Sequence, residues 1–151
     1  MAVLPSGQKP VVMTRYTHML YEDVEVWTRF LKGTRPEIFE LWYDVHVGKA
    51  MPVPEGASQV EAAVAAAVSR KRIDVVCRVA GGYWVVEVKP FGNMVALGQS
   101  LAYCSLFQNE YQVSGLVLPV VVCDLVDEDL ARRFAELGVL VFETGYKGLV
   151  G

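Results

Sequence analysis

Two apolar runs around a glycine pair constrain this chain more than any other feature. Residues 72–79 and 83–89 are strand-length, rich in valine, and flank Gly81-Gly82, the pattern of a β-hairpin. Each run is charged towards its open end, with Asp74 on the first and Glu87 and Lys89 on the second. Glu87 and Lys89 share one strand face, and Val86 and Val88 take the other. A turn centred on Gly81-Gly82 pairs Ala80 with Tyr83 and, continuing, Asp74 with Lys89 and Val76 with Glu87. Opposite residues project to one side, so Asp74, Glu87 and Lys89 fall on a single face, with Asp74 diagonal to Glu87 at roughly 7–8 Å. Charges in the most hydrophobic hairpin of a chain are costly unless they are exposed or employed. Two carboxylates across that gap suit one hard cation, magnesium or manganese, that keeps several of its waters. An ammonium beside it neutralises charge developing on a phosphoryl group. The plain alternative is a cross-strand ion pair on a solvated face.

The remaining pattern places this hairpin inside an α/β chain. Residues 1–19, with Pro5, Gly7 and Pro10, read as an N-terminal arm, and 20–151 as a single domain. Leu20, Val24, Trp27 and Leu31 recur at helical spacing over about 20–32, and Gly33 stops the helix. From Ile38 to Val47 the chain alternates as a strand, Leu41, Tyr43, Val45 and Val47 against Trp42, Asp44 and His46. Ser58 and Glu61 form a capping box for an alanine-rich helix ending near Arg70. Asn93 caps a helix to about Phe107, Leu116–Cys123 is a buried strand, and Asp127 caps a short helix that ends at Gly138. Val139–Glu143 is the last strand. The order is α-β-β-β-α-β-α-β. Its final β-α-β unit implies a parallel pair, so the expected fold is an α/β sandwich around a central mixed sheet flanked by helices.

Asp74, followed after twelve residues by Glu87-Val88-Lys89 at the end of a hydrophobic strand, resembles the motif of the PD-(D/E)XK, or restriction-endonuclease-like, nucleases. Gln99-Ser100-Leu101-Ala102-Tyr103 on the next helix is similar to the Q-x-x-x-Y motif of the RecB-type branch. The match spans about 74–103. The resemblance implies that Asp74, Glu87 and the Val88 carbonyl bind the metal and that Lys89 is catalytic. It implies that Gln99 and Tyr103, four apart on one helical face, line the site and contact nucleic acid. Ile73 stands where the family often has proline. Many members add a glutamate from the first helix. Of Glu22, Asp23 and Glu25, the glutamates Glu22 and Glu25 are the tentative counterparts, although they lie opposite the apolar stripe and read as solvated. Asp44 and His46 border the hairpin from the neighbouring strand, and Trp27, Trp42 and Trp84 read as core.

Composition narrows the remaining choices. With a net charge of -3, the chain does not coat nucleic acid through long-range attraction. Arg70, Lys71 and Arg72 form the only dense basic run, either a solvated helix end or a local DNA-binding patch. Apolar residues make up 53% of the chain, more than one such domain buries with ease, so a homodimer or a protein partner is expected. No apolar run approaches the ~20 residues of a membrane helix, and the start does not read as a signal peptide. Cys77, Cys104 and Cys123 are scattered among apolar neighbours, which fits neither a disulfide framework nor zinc and points to the cytoplasm. The expected function is a Mg2+- or Mn2+-dependent endonuclease acting on DNA. The alternative is a catalytically silent nuclease-fold subunit that binds nucleic acid or serves assembly, as in accessory proteins of phages and mobile elements. A dimeric junction resolvase is a third reading.

Overall fold

The computed structural model describes residues 1–145, so the end of the domain assigned to 20–151 lies outside the described residues. Along the chain run α1 (Tyr21–Lys32), β1 (Ile38–Val47), α2 (Gln59–Ser69), β2 (Lys71–Val79) and β3 (Gly82–Val88). Then follow β4 (Phe91–Gly92), α3 (Met94–Glu110), β5 (Leu116–Cys123), β6 (Leu125–Val126), α4 (Ala131–Glu136) and β7 (Leu140–Glu143). Five strands form one mixed sheet in the order β1-β2-β3-β5-β7. The first three are antiparallel neighbours, and β5 pairs parallel with both β3 and β7. The fold is thus α/β, with a mixed sheet between helices. The pairing of β4 with β6 was not expected from the sequence, because two-residue strands carry no periodicity.

Helix ends follow the local chemistry. Ser58 accepts the Glu61 N–H at 3.1 Å, and Asn93 accepts the Ala96 N–H at 3.0 Å, each satisfying a donor that a helix start leaves free. Asp127 instead caps the turn before α4, accepting the Asp129 N–H at 3.0 Å, and α4 begins later, at Ala131. Gly138, with φ of 76°, ends that helix, and the Val139 N–H returns to the Phe134 carbonyl at 2.9 Å. The N-terminal arm lies along the β1 edge. Gln8 and Leu41 exchange backbone hydrogen bonds of 2.9 Å each way, and the Trp42 indole donates to the Pro5 carbonyl at 2.7 Å. Among the described residues no helix is long and apolar enough to cross a membrane.

Three buried clusters flank the sheet, the smallest formed by Ala96, Val121, Cys123, Phe134 and Val139 and the two larger ones lying on opposite sides. On one side Val26, Trp27, Phe30 and Leu31 of α1 pack on Leu41, Val75, Cys77, Val86 and Val88. On the other, Cys104 and Phe107 of α3 pack on Trp42, Val45, Val47, Ile73 and Val85. The stripe that α1 buries is rotated from the expected one: Asp23, Val26, Trp27, Phe30 and Leu31 are inside, and Leu20 is 65% exposed. The alternation along β1 also breaks. Leu41 and Tyr43 join the α1 side, whereas Val45 and Val47 join the α3 side. The switch occurs at Asp44, whose φ of 54° adds a local twist that strict period-two alternation cannot show.

The hairpin register also differs from the expected one. Val79 pairs with Gly82, and Val75 with Val86, so the turn consists of Ala80 and Gly81. Gly81 takes the positive φ of 85°. Gly82 belongs to the strand because a Cβ there would meet the Leu116 carbonyl oxygen at 1.9 Å. Sliding the pairing by two residues keeps every side chain on its face. It changes who stands opposite whom: continued one step beyond Val75 and Val86, the register brings Asp74 to Glu87 instead of Lys89.

Candidate active site

The sheet forks where Asp74 and Glu87 stand. The β2–β3 pairing stops at Val75 and Val86. Beyond it β2 stays with β1 as far as Lys71 and Val47, while β3 stays with β5 as far as Val88 and Val122. Two strands leaving each other expose backbone donors that must find partners. The carboxyl groups provide them. Asp74 accepts the Val88 N–H at 2.8 Å, and the Asp74 backbone favours the charged form of Glu87. The acids therefore hold the fork open from inside, and their carboxyl groups lie within hydrogen-bonding reach of each other.

Such a pair is electrostatically strained. Glu87 is 2% exposed. Burial first, and then the Asp74 carboxylate, push its pKa well above the usual carboxylate range. Burial likewise raises Asp74, while the Val88 N–H and the Lys89 ammonium pull it back. Lys89 is half-buried and favours ionisation of Asp23, Asp74 and Glu87 alike. Among the described residues the buried side-chain oxygens without any hydrogen-bond partner are Glu87 Oε1 and Gln99 Oε1. Leaving a buried acceptor unmade costs about 1–3 kcal/mol, so each of these oxygens is costly as it stands.

α3 and α1 close the fork from either side. Tyr103 comes close enough to the carboxyl groups to feel their charge, and Gln99, one turn before it, reaches Tyr103. Burial raises the Tyr103 phenol, and Glu87 and Asp74 add to the shift, while the Gln99 amide opposes it. From α1 the acid that turns inwards is Asp23, 7% exposed. Burial and the Asp74 carboxylate push it up to about 6, against the pull of Lys89. Glu22 and Glu25, the two glutamates favoured from the sequence, are exposed. The signal for Asp23 was there: it precedes Val26 by three, Trp27 by four and Phe30 by seven, the spacing of the buried stripe.

The β1 side adds a cluster that sequence reasoning reached only in part. The Asp44 carboxylate lies 3.4 Å from His46 Nε2, 3.5 Å from His18 Nε2 and 3.6 Å from an Arg72 nitrogen. Asp44 in turn raises Asp74. His18, like Asp44, has a positive φ, 57°. Two residues of the basic run have partners within the fold. Arg70 is bound to the carbonyls of Gly48 and His46 and to Glu110, tying the ends of β1, α2 and α3 together. Arg72 donates to the Ala67 carbonyl at 2.8 Å besides facing Asp44, and Lys71 is exposed. Sequence gave no sign of the buried Asp124, which receives Arg29 of α1 through two hydrogen bonds of 3.1 and 2.7 Å and fastens that helix to the end of β5.

The donor set fits a hard divalent cation in a particular way. Among the described residues no three carboxylate, imidazole or thiolate side chains converge closely enough to enclose a metal. Asp74 and Glu87 alone would supply the carboxylates, and the Gln99 oxygen on the facing helix is unpaired. A two-acid site of this kind leaves room for waters and a phosphate, as magnesium prefers. Asp23 stands close enough to be felt electrostatically and belongs to the surroundings of that site. No family model, no curated protein and no solved structure matches this chain.

Proposed function

We propose that this chain is a metal-dependent phosphodiesterase acting on DNA, with a restriction-endonuclease-like arrangement of its sheet and helices. The observation that carries the reading is the buried Asp74–Glu87 pair at the strand fork, with unpaired oxygens on Glu87 and Gln99 and an ammonium beside it. A pair that raises its own pKa values and leaves acceptors unmade is a poor structural device and a good cation receptor. Asp74 and Glu87 would hold magnesium or manganese. A bound divalent cation supplies Lewis-acid chemistry there, making water acidic and offsetting charge on the phosphoryl oxygens. Lys89 orients the attacking water and neutralises charge as the phosphorus gains its fifth oxygen. Gln99 and Tyr103 line the side from which the nucleic acid approaches.

Calorimetric titration with manganese tests this reading. The parent should bind, and Asp74→Ala and Glu87→Ala should lose binding. Lys89→Ala should bind metal as before yet cut no DNA. Lys89→Arg should not restore cleavage fully, because a planar guanidinium does not take the place of a compact ammonium. Equal metal affinity in the parent and both acid variants would place the site elsewhere. One observation favours a silent nuclease-fold subunit instead: Arg70 and Arg72, two of the three residues in the only dense basic run, are engaged within the fold. Metal binding without cleavage of duplex, single-stranded or branched DNA would select that reading.

A further inference from the structure

α2 is a helix with nothing to lean on. None of its eleven residues is buried. Val60, Val64 and Val68 fall on one face at intervals of four and are 73%, 57% and 71% exposed. Met51, 67% exposed, extends this strip beside the C-terminal turn, where its N–H donates to the Ser69 hydroxyl at 2.8 Å. A helix of this length is marginal in water by itself, and most helical stability in proteins comes from packing an apolar face. This apolar face looks outwards.

Charges bracket the strip unevenly. Glu55 and Glu61, both exposed, stand at its N-terminal end. Lys49 and Lys71, both exposed, stand at its C-terminal end. Lys49 is held there because the preceding Gly48 carbonyl accepts the Arg70 guanidinium at 2.8 Å. An apolar centre with acids at one end and bases at the other is complementary to itself turned through a half-rotation. The same rotation sets the two helix dipoles antiparallel. Ala63 and Ala67 on the exposed surface let two such helices approach closely.

We infer that α2 is the interface of a two-fold homodimer, in which the valine strip of one protomer packs antiparallel on that of its partner and each acidic end meets the partner's basic end. The occupant is a second copy because the charge pattern completes itself only under that symmetry. Nucleic acid does not fit a strip whose centre is apolar and uncharged. Because α2 leads directly into β2, which carries Asp74, the dimer also sets the two forks at one fixed separation. The inference concerns assembly and stands whether or not the fork cuts DNA.

Sedimentation velocity and light scattering over a concentration series of the full chain test it. The parent should dimerise, and Val64→Glu should weaken the dimer by roughly tenfold or more, the loss expected for one central anchor. Val64 is exposed, so circular dichroism should show an intact fold. Charge reversal supplies the second arm. A variant with Glu55→Lys and Glu61→Lys has two basic ends, and one with Lys49→Glu and Lys71→Glu has two acidic ends. Each should be monomeric alone, and mixing them should restore a dimer that contains one of each. A parent that stays monomeric at every concentration, a Val64→Glu dimer as tight as the parent's, or a mixture that fails to associate would overturn the inference.

Discussion

At the scale of single residues, the candidate site is a place where stability was given up. Glu87 is buried next to another acid with one oxygen unpaired. Glu87→Gln removes the repulsion and lets the new amide donate to Asp74. Without metal, this variant should melt higher than the parent near neutral pH, by about 1–2 kcal/mol in unfolding free energy. It should also lose the rise in melting temperature that manganese gives the parent. A variant less stable than the parent in both conditions would argue against a strained pair. Asp23 permits a test with a definite sign. Its folded pKa is about 6, above the ~3.9 of an unfolded aspartate. Between those values the folded state binds more protons, so stability is greatest below about pH 4 and declines as pH rises through about 6. Asp23→Asn should match the parent near pH 4 and exceed it near pH 8 by about 1–3 kcal/mol in metal-free buffer. Parallel urea melts at the two pH values decide it, and an unchanged difference would mean that Asp23 is neither buried nor close to the acids.

Elements rather than residues decide how the fork is held. β3 can lie against β5 only because Gly82 has no side chain to strike Leu116, and at Gly115, with φ of 89°, a Cβ would likewise meet the Gly81 carbonyl oxygen, at 2.4 Å. Gly82→Ala should therefore cost about 2–4 kcal/mol, among the larger effects of single substitutions. Gly81→Ala has open space around it and bears only the left-handed backbone conformation, about 1–2 kcal/mol. Denaturant midpoints compare the two directly. If Gly82→Ala proves no worse than Gly81→Ala, the close approach of β3 to β5 at Leu116 is in error. α1 and α3 were both legible from their caps or spacing. The rotation of α1 was not, because Leu20 extends an apolar pattern past the point where the sheet gives it anything to cover.

Over the whole molecule, the balance of charge limits how DNA can be held. The net charge is -3, and two of the three residues in the only basic run have partners within the fold. Few phosphates are then neutralised on binding. The logarithm of affinity should fall with the logarithm of salt at a slope no steeper than about -3, given ~0.9 per phosphate contact. Calcium in place of magnesium keeps the substrate intact for this measurement. Arg70→Ala should lower stability by about 1–3 kcal/mol, since it strips partners from Glu110 and from two carbonyls. It should leave the salt slope unchanged. A slope that flattens in Arg70→Ala would return that residue to the DNA-binding surface.

What the sequence by itself determined is the set of elements. Period-two and helical spacing, capping residues and glycines mark α1, β1, β2, β3, α3 and β5 nearly to their ends, because these signals are local and each residue reports its own surroundings. The same locality brought Gln99 and Tyr103 to one helix face and Glu87 and Lys89 to one strand face. Tertiary structure alone decided the rest. The close seating of β3 against β5 depends on a carbonyl of β5, thirty-four residues from Gly82. The choice of Asp23 over Glu22 and Glu25 depends on which side of α1 the sheet covers. The partners of Arg70 and Arg72 within the fold are Glu110 and Asp44, residues distant along the chain. Each is a contact between distant segments, and no pattern within either segment encodes it.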